Sequence, residues 1–187
     1  MKRSTVVAAL LVVIAAGNAD AQQAKAQKSS AKASGFMAAA GMTKVYDMSK
    51  NFILKTAEQV PEDKYSYRPT PEVRTLGAIL GHIADGHQYL CGVIAGSAPK
   101  GEQPVNEKLE GKAAITTALK KSFDDCDAVL AKVTDADLTR QVNMFGMDVP
   151  LSAAVTMLAS HDWEHYGNLV TYMRSNNIVP PSSQQGN

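Results

Sequence analysis

The sequence predicts an all-α protein, a four-helix bundle with crossover connections. Four long stretches within residues 35–180 carry apolar residues at helical spacing, the alternation expected of strands is nearly absent, and Pro or Gly clusters separate the stretches. The chain has 187 residues, 45% of them apolar, with two Cys, four His, one Trp and a formal net charge of +1. That balance excludes a nucleic-acid binder, which needs a basic surface to displace counterions from phosphates. Two cysteines exclude a disulfide-rich scaffold and a Cys₄ zinc site.

The first residues read as an address. Met1-Lys2-Arg3 is a positive start, Val6 to Ala16 is an unbroken apolar run, and Ala19-Asp20-Ala21 offers small residues to a signal peptidase. As a helix the run spans only about 17 Å against a hydrocarbon core of roughly 30 Å, so it predicts a leader rather than a stable membrane insertion. Cleavage is expected after Ala21, with export, to a periplasm. Residues 22–34, rich in Ala, Lys, Gln and Ser, predict a flexible linker. From Gly35 onward the chain holds 14 basic and 17 acidic residues.

The first helix is expected from Phe36 to Val60, with Phe36, Ala39, Met42, Tyr46, Phe52 and Ile53 near helical spacing and Pro61 just beyond. Pro69 and Pro71 make residues 65–71 a loop. Thr70, Pro71 and Glu72 together form a helix start, and the second helix should reach Ala95 before Gly96-Ser97-Ala98-Pro99. The third runs from Gly111 to Val133, with Ile115, Leu119, Phe123, Cys126 and Leu130 on one stripe. Residues 139–149 suit a short extended piece. Pro150 opens the fourth helix, which reaches Asn177, and residues 181–187 form a disordered tail. The connections at 96–110 and 134–149 exceed what a simple up-down bundle needs.

All four histidines fall in two places, His82 and His87 in the second helix and His161 and His165 in the fourth. His161 and His165 are one turn apart, so they project from one face about 6 Å apart along the axis. Ala154, Leu158, Asn168 and Tyr172 share that face, which points the pair into the bundle. Two neutral imidazoles side by side in an apolar interior need partners for their ring nitrogens, and a divalent metal supplies one. Two interior histidines bonded to neighbouring polar groups are the plainer alternative. The third ligand must come from another helix, and periodicity leaves His82 and His87 both open. Gly86, one turn from His82, offers room for a ligand there. Residues 161–165 also match the His-x-x-Glu-His pattern of inverzincin proteases. That chemistry needs a downstream acidic ligand, and no Asp or Glu follows His165.

The block Thr75-Leu76-Gly77-Ala78-Ile79-Leu80-Gly81-His82-Ile83-Ala84-Asp85, the block from His161 through Arg174, and the lead-in Tyr67-Arg68-Pro69 resemble the DinB family. The resemblance covers nearly all of the chain after residue 35. It implies a four-helix bundle with a divalent metal, zinc or nickel, on three histidines. One comes from the second helix and two from the last, at positions matching His82, His161 and His165. It also implies thiol-dependent S-transferases and isomerases acting on small molecules, usually as homodimers. Two departures are Tyr166-Gly167-Asn168, where the family often has Arg-Gly-Gln, and the export leader.

Three neutral histidines leave coordination positions open, the arrangement of a catalytic rather than a closed structural site. Thiol transfer needs reduced thiol, which oxidising compartments supply poorly. A metal-dependent hydrolase, or a metal-binding module without turnover, are therefore the alternatives to a metal-dependent thiol transferase. Metal affinity is expected to fall below about pH 6.5 as imidazoles protonate. Asn168, Tyr89, Tyr172 and Arg174 are candidates for contact with the ligands or substrate. Cys91 and Cys126 are candidates for a disulfide, with two buried free thiols as the alternative. Trp163, Tyr166 and Val170 form a second apolar stripe, ordinarily covered by another helix of the chain, with a dimer interface as the alternative. Met144, Phe145 and Met147 either cap the core or line the approach to the metal.

Overall fold

The computed structural model describes residues 38–98 and 105–184. The expected leader and linker, and residues 185–187 of the expected tail, lie outside the described residues. Four helices make the bundle: α1 (38–59), α2 (Leu76–Ala95), α3 (Lys112–Leu130) and α4 (Leu151–Ser175).

The contacts fix how these helices run. α1 lies parallel to α4, since Trp163 Nε1 donates to Val45 O and, farther along, Gln59 Nε2 donates to Val179 O. α2 lies parallel to α3, as shown by His87 against Ser122 and Cys91 against Cys126. α2 and α4 are antiparallel, with His82 beside His165 and Arg74 beside Tyr172. Two consecutive parallel helices require a connection that returns along the bundle, which is why residues 96–111 are long. The second long connection, 131–150, closes one end. It holds the hairpin of β1 (Gln141–Met144) and β2 (Met147–Pro150), antiparallel strands joined at Phe145-Gly146.

Three local expectations change. α2 starts at Leu76, capped by the Thr75 hydroxyl, which accepts from Ala78 N at 3.1 Å; Thr70 does not cap it. The reason is nonlocal. Tyr67 O and Tyr65 O take the amides of Leu76 and Gly77, and so fix where the helix begins. Residues 181–183 form a 3₁₀ turn with Pro181 buried, where disorder was expected. Ser182 N donates to the Tyr166 hydroxyl and holds this turn to α4. Finally, the buried face of α1 keeps Tyr46 and Ile53 from the expected stripe and adds Ser49, Thr56 and Ala57, two of them polar residues that an apolar period passes over.

Trp163 and Tyr166 face α1, where Phe52 lies 5.9 Å and 5.3 Å from their ring centres. Tyr166 is buried there, while Trp163 and Val170 stay half-buried. Met144 is buried in the core, while Phe145 and Met147 are exposed at the hairpin tip. No helix among the described residues is long and apolar enough to cross a membrane.

Candidate metal centre

α2 and α4 pass close enough for one ring nitrogen from each of His82, His161 and His165 to lie within 4.8 Å of the others. The close approach depends on Gly86. A Cβ there would sit 2.3 Å from His161 Cε1, so only glycine lets the imidazole lie against α2. His161 Nε2 and His82 Nε2 are 3.4 Å apart. Two ligands 2.0–2.1 Å from a shared ion subtend about 110° at that separation, close to a tetrahedral angle. His161 Nδ1 is buried without a hydrogen-bond partner.

Burial pushes the His161 imidazole down to about 4, helped by the neighbouring charge of His165 and opposed by Asp162. Burial and then His82 and Arg74 push His165 down to about 4 as well. Both rings are therefore neutral, with a lone pair to donate, far below neutral pH. The convergence, the separation and the neutral rings together fit a divalent cation.

His87 is elsewhere. It is 1% exposed, with Nδ1 against Ser122 Oγ at 2.9 Å and Nε2 against Asp162 Oδ1 at 2.8 Å. This is the fully bonded core histidine. Asp162 also accepts from Ser49 Oγ at 3.2 Å, so one buried network joins all four helices.

Among the other candidates, Asn168 and Tyr172 do line a cleft of about 490 Å³ beside His165, together with Arg74, Ile79 and Glu107. Asn168 Nδ2 is 3.5 Å from His165 Nδ1, and the Tyr172 hydroxyl donates to Arg74 O at 2.9 Å. Two candidates are not brought to this cleft. The Tyr89 ring stacks on Phe145 and its oxygen accepts from Phe145 N, so it secures the hairpin tip. Arg174 donates to Ser183 Oγ, nine residues onward. Cys91 and Cys126 form a disulfide with Cα atoms 5.4 Å apart, so neither thiol is free.

Sequence reasoning missed Arg74, Glu107 and Asp162. Glu107 Oε2 is 3.2 Å from His82 Nδ1 and accepts from Arg74 Nε at 3.0 Å. It lies 25 residues along the chain from His82, on the returning connection, and no periodicity links the two. Asp162 lies between His161 and His165 in the chain, but its partner is His87, 75 residues away, which no local spacing reveals.

A four-helix bundle with three histidines converging from two antiparallel helices defines a class of histidine-centred helical proteins. The comparisons narrow that class. A family model of the DinB superfamily matches residues 47–169, and the chain belongs to that superfamily. It is 27% identical over 130 residues to the uncharacterized protein YjoA of Bacillus subtilis (strain 168), covering 67% of this chain and 82% of that one. A solved DinB-like protein from Bacillus cereus ATCC 10987 has a TM-score of 0.64 at 21% identity, covering 75% of this chain and 94% of that one. The solved YjoA structure gives a TM-score of 0.63 at 22% identity, covering 78% and 99%. A mycothiol-dependent maleylpyruvate isomerase is more distant, with a TM-score of 0.58 at 14% identity, covering 72% of this chain and 65% of that one.

Proposed function

We propose that this chain is an exported metalloenzyme acting on small molecules, with His82, His161 and His165 as ligands of a zinc or nickel ion. The carrying observation is the 3.4 Å approach of the Nε2 atoms of His82 and His161, with His165 completing the tripod. A cation held there would supply Lewis acidity, lowering the pKa of a thiol or water at an open position. The protein's own part is to keep two rings unprotonated by burial, to hold α2 and α4 at contact distance through Gly86, and to border the site with a cleft. In that cleft Asn168 and Arg74 offer donors to a polar substrate, and Tyr172 holds the segment carrying Arg74.

Thiol transfer is the chemistry suggested by likeness to a mycothiol-dependent isomerase. Hydrolysis is favoured by a specific observation. The Cys91–Cys126 disulfide and the leader pattern both point to an oxidising compartment, where small reduced thiols are scarce. Metal analysis of chelator-free protein tests the reading, with His161→Ala as the paired variant. One equivalent of zinc or nickel is expected in the parent and loss of it in the variant; equal content in both sinks the proposal. Loaded protein assayed on thiol–electrophile pairs and on ester and amide panels then separates the two chemistries. No turnover on any panel would leave a metal-binding module.

A further inference from the structure

We propose that Glu107 is a positioning residue for His82: its carboxylate holds the ring proton on Nδ1 and so presents Nε2 as the ligand atom. This rests on the metal reading above.

Of the two His82 nitrogens, Nε2 faces His161 Nε2 and Nδ1 faces Glu107 Oε2. A carboxylate only accepts, so at 3.2 Å from Nδ1 it favours the tautomer with the proton there, which leaves the Nε2 lone pair for the ion. A carboxylate behind a metal-bound imidazole also raises its basicity and fixes its plane.

Four hydrogen bonds and one close backbone approach place this carboxylate. Arg74 Nε donates to the same Oε2 atom. The Asp85 carboxylate, one turn past His82, accepts from Asn106 N and Asn106 Nδ2, both at 2.7 Å, and from Glu107 N at 3.1 Å, which pins the backbone of the turn. Gly81 lets that turn lie against α2, since a Cβ there would be 2.3 Å from Asn106 O. A half-exposed Arg–Glu pair serving only as a surface salt bridge contributes little, and none of this scaffolding follows from such a role. His161 has no such partner on Nδ1. His165 Nδ1 has the Asn168 amide 3.5 Å away, so the carboxylate serves only the ligand supplied by α2.

The test uses zinc titrated in competition with a chromogenic chelator, together with nitrogen-15 NMR of the His82 ring in metal-free protein at mildly alkaline pH. Glu107→Ala should lower zinc affinity ten- to a hundredfold, the range seen when such partners are removed. It should also move His82 from the Nδ1–H toward the Nε2–H tautomer. Glu107→Gln, which keeps a carbonyl acceptor, should recover most of the affinity. Unchanged affinity in Glu107→Ala, or a tautomer it does not move, overturns the proposal. So does an Nε2–H tautomer in the wild-type chain, which requires no variant to fold. Wild-type protein that takes up no zinc overturns the underlying metal reading, and the tautomer of the metal-free chain distinguishes that failure from an error about Glu107.

Discussion

Gly86 and His161 make the sharpest single-residue case. Alanine is favoured over glycine by about 1 kcal/mol inside a helix, so Gly86→Ala should leave the fold intact or firmer. Its methyl group, however, lands 2.3 Å from His161 Cε1, and the ring must swing away. We expect an unchanged or raised melting temperature with metal uptake reduced at least about tenfold, in line with losing a ligand's orientation. A variant that binds metal as the parent does would show that this ring is not a ligand.

The same rings set the pH response. His161 and His165 sit at about 4 in the folded chain, against 6.5 for a free imidazole. Between those values the unfolded chain binds more protons than the folded one. Their contribution to metal-free stability is therefore full above about pH 6.5, falls as pH drops, and is gone near pH 4. Denaturant midpoints measured across that window should decline with acid. For these two ligands proton competition with the metal begins nearer pH 4 than the pH 6.5 expected from free imidazole, because burial has already removed the proton. Metal release from the pair complete at pH 6 would contradict this.

Among the elements, α2 and α3 are joined twice, by packing and by the disulfide. Closing a loop of 35 residues stabilises the fold by about 3–4 kcal/mol in the chain-entropy model. Reduction, or the double variant C91A/C126A, should lower the melting temperature by roughly 10 °C for a domain of this size. Alkylation of two thiols in unreduced protein would remove the bridge from the account. Helix existence was legible along the chain because each stretch keeps its period over several turns. Helix boundaries were less so. Thr70, with Pro71 and Glu72 after it, reads as the cap locally, and the carbonyls of Tyr65 and Tyr67 move the start to Thr75. The hairpin at 141–150 showed in the sequence as a short extended piece but not as two paired strands, since strands of four residues hold too little alternation to stand out.

At the level of the whole molecule, one polar network spans the bundle. Ser49 of α1, His87 of α2, Ser122 of α3 and Asp162 of α4 meet in the core. Asp162→Ala leaves a buried imidazole nitrogen without its acceptor, while the Ser49 hydroxyl keeps Tyr46 O at 2.7 Å, and should cost roughly 2–4 kcal/mol, read as a lower urea midpoint. A neutral result would mean water replaces the carboxylate. The network also explains the two fates of the α2 histidines. His82 and His87 are five residues apart, so they point in different directions around the helix. One meets the α4 pair, and the other meets Ser122 and Asp162.

Local sequence was enough to determine the four helices, the placement of His161 and His165 on one inward face, and the separation of cysteines that a bridge then uses. These are short-range properties: period, capping chemistry and spacing are set by the backbone within a few turns. Periodicity left the two α2 histidines open and the family resemblance implied His82; the tertiary structure brought His82 to the pair, and it alone decided that Glu107 stands behind it and that Arg174 and Tyr89 belong to other tasks. Those outcomes depend on how parallel and antiparallel helices pass one another and on where a returning connection crosses. No residue's neighbours along the chain carry that information.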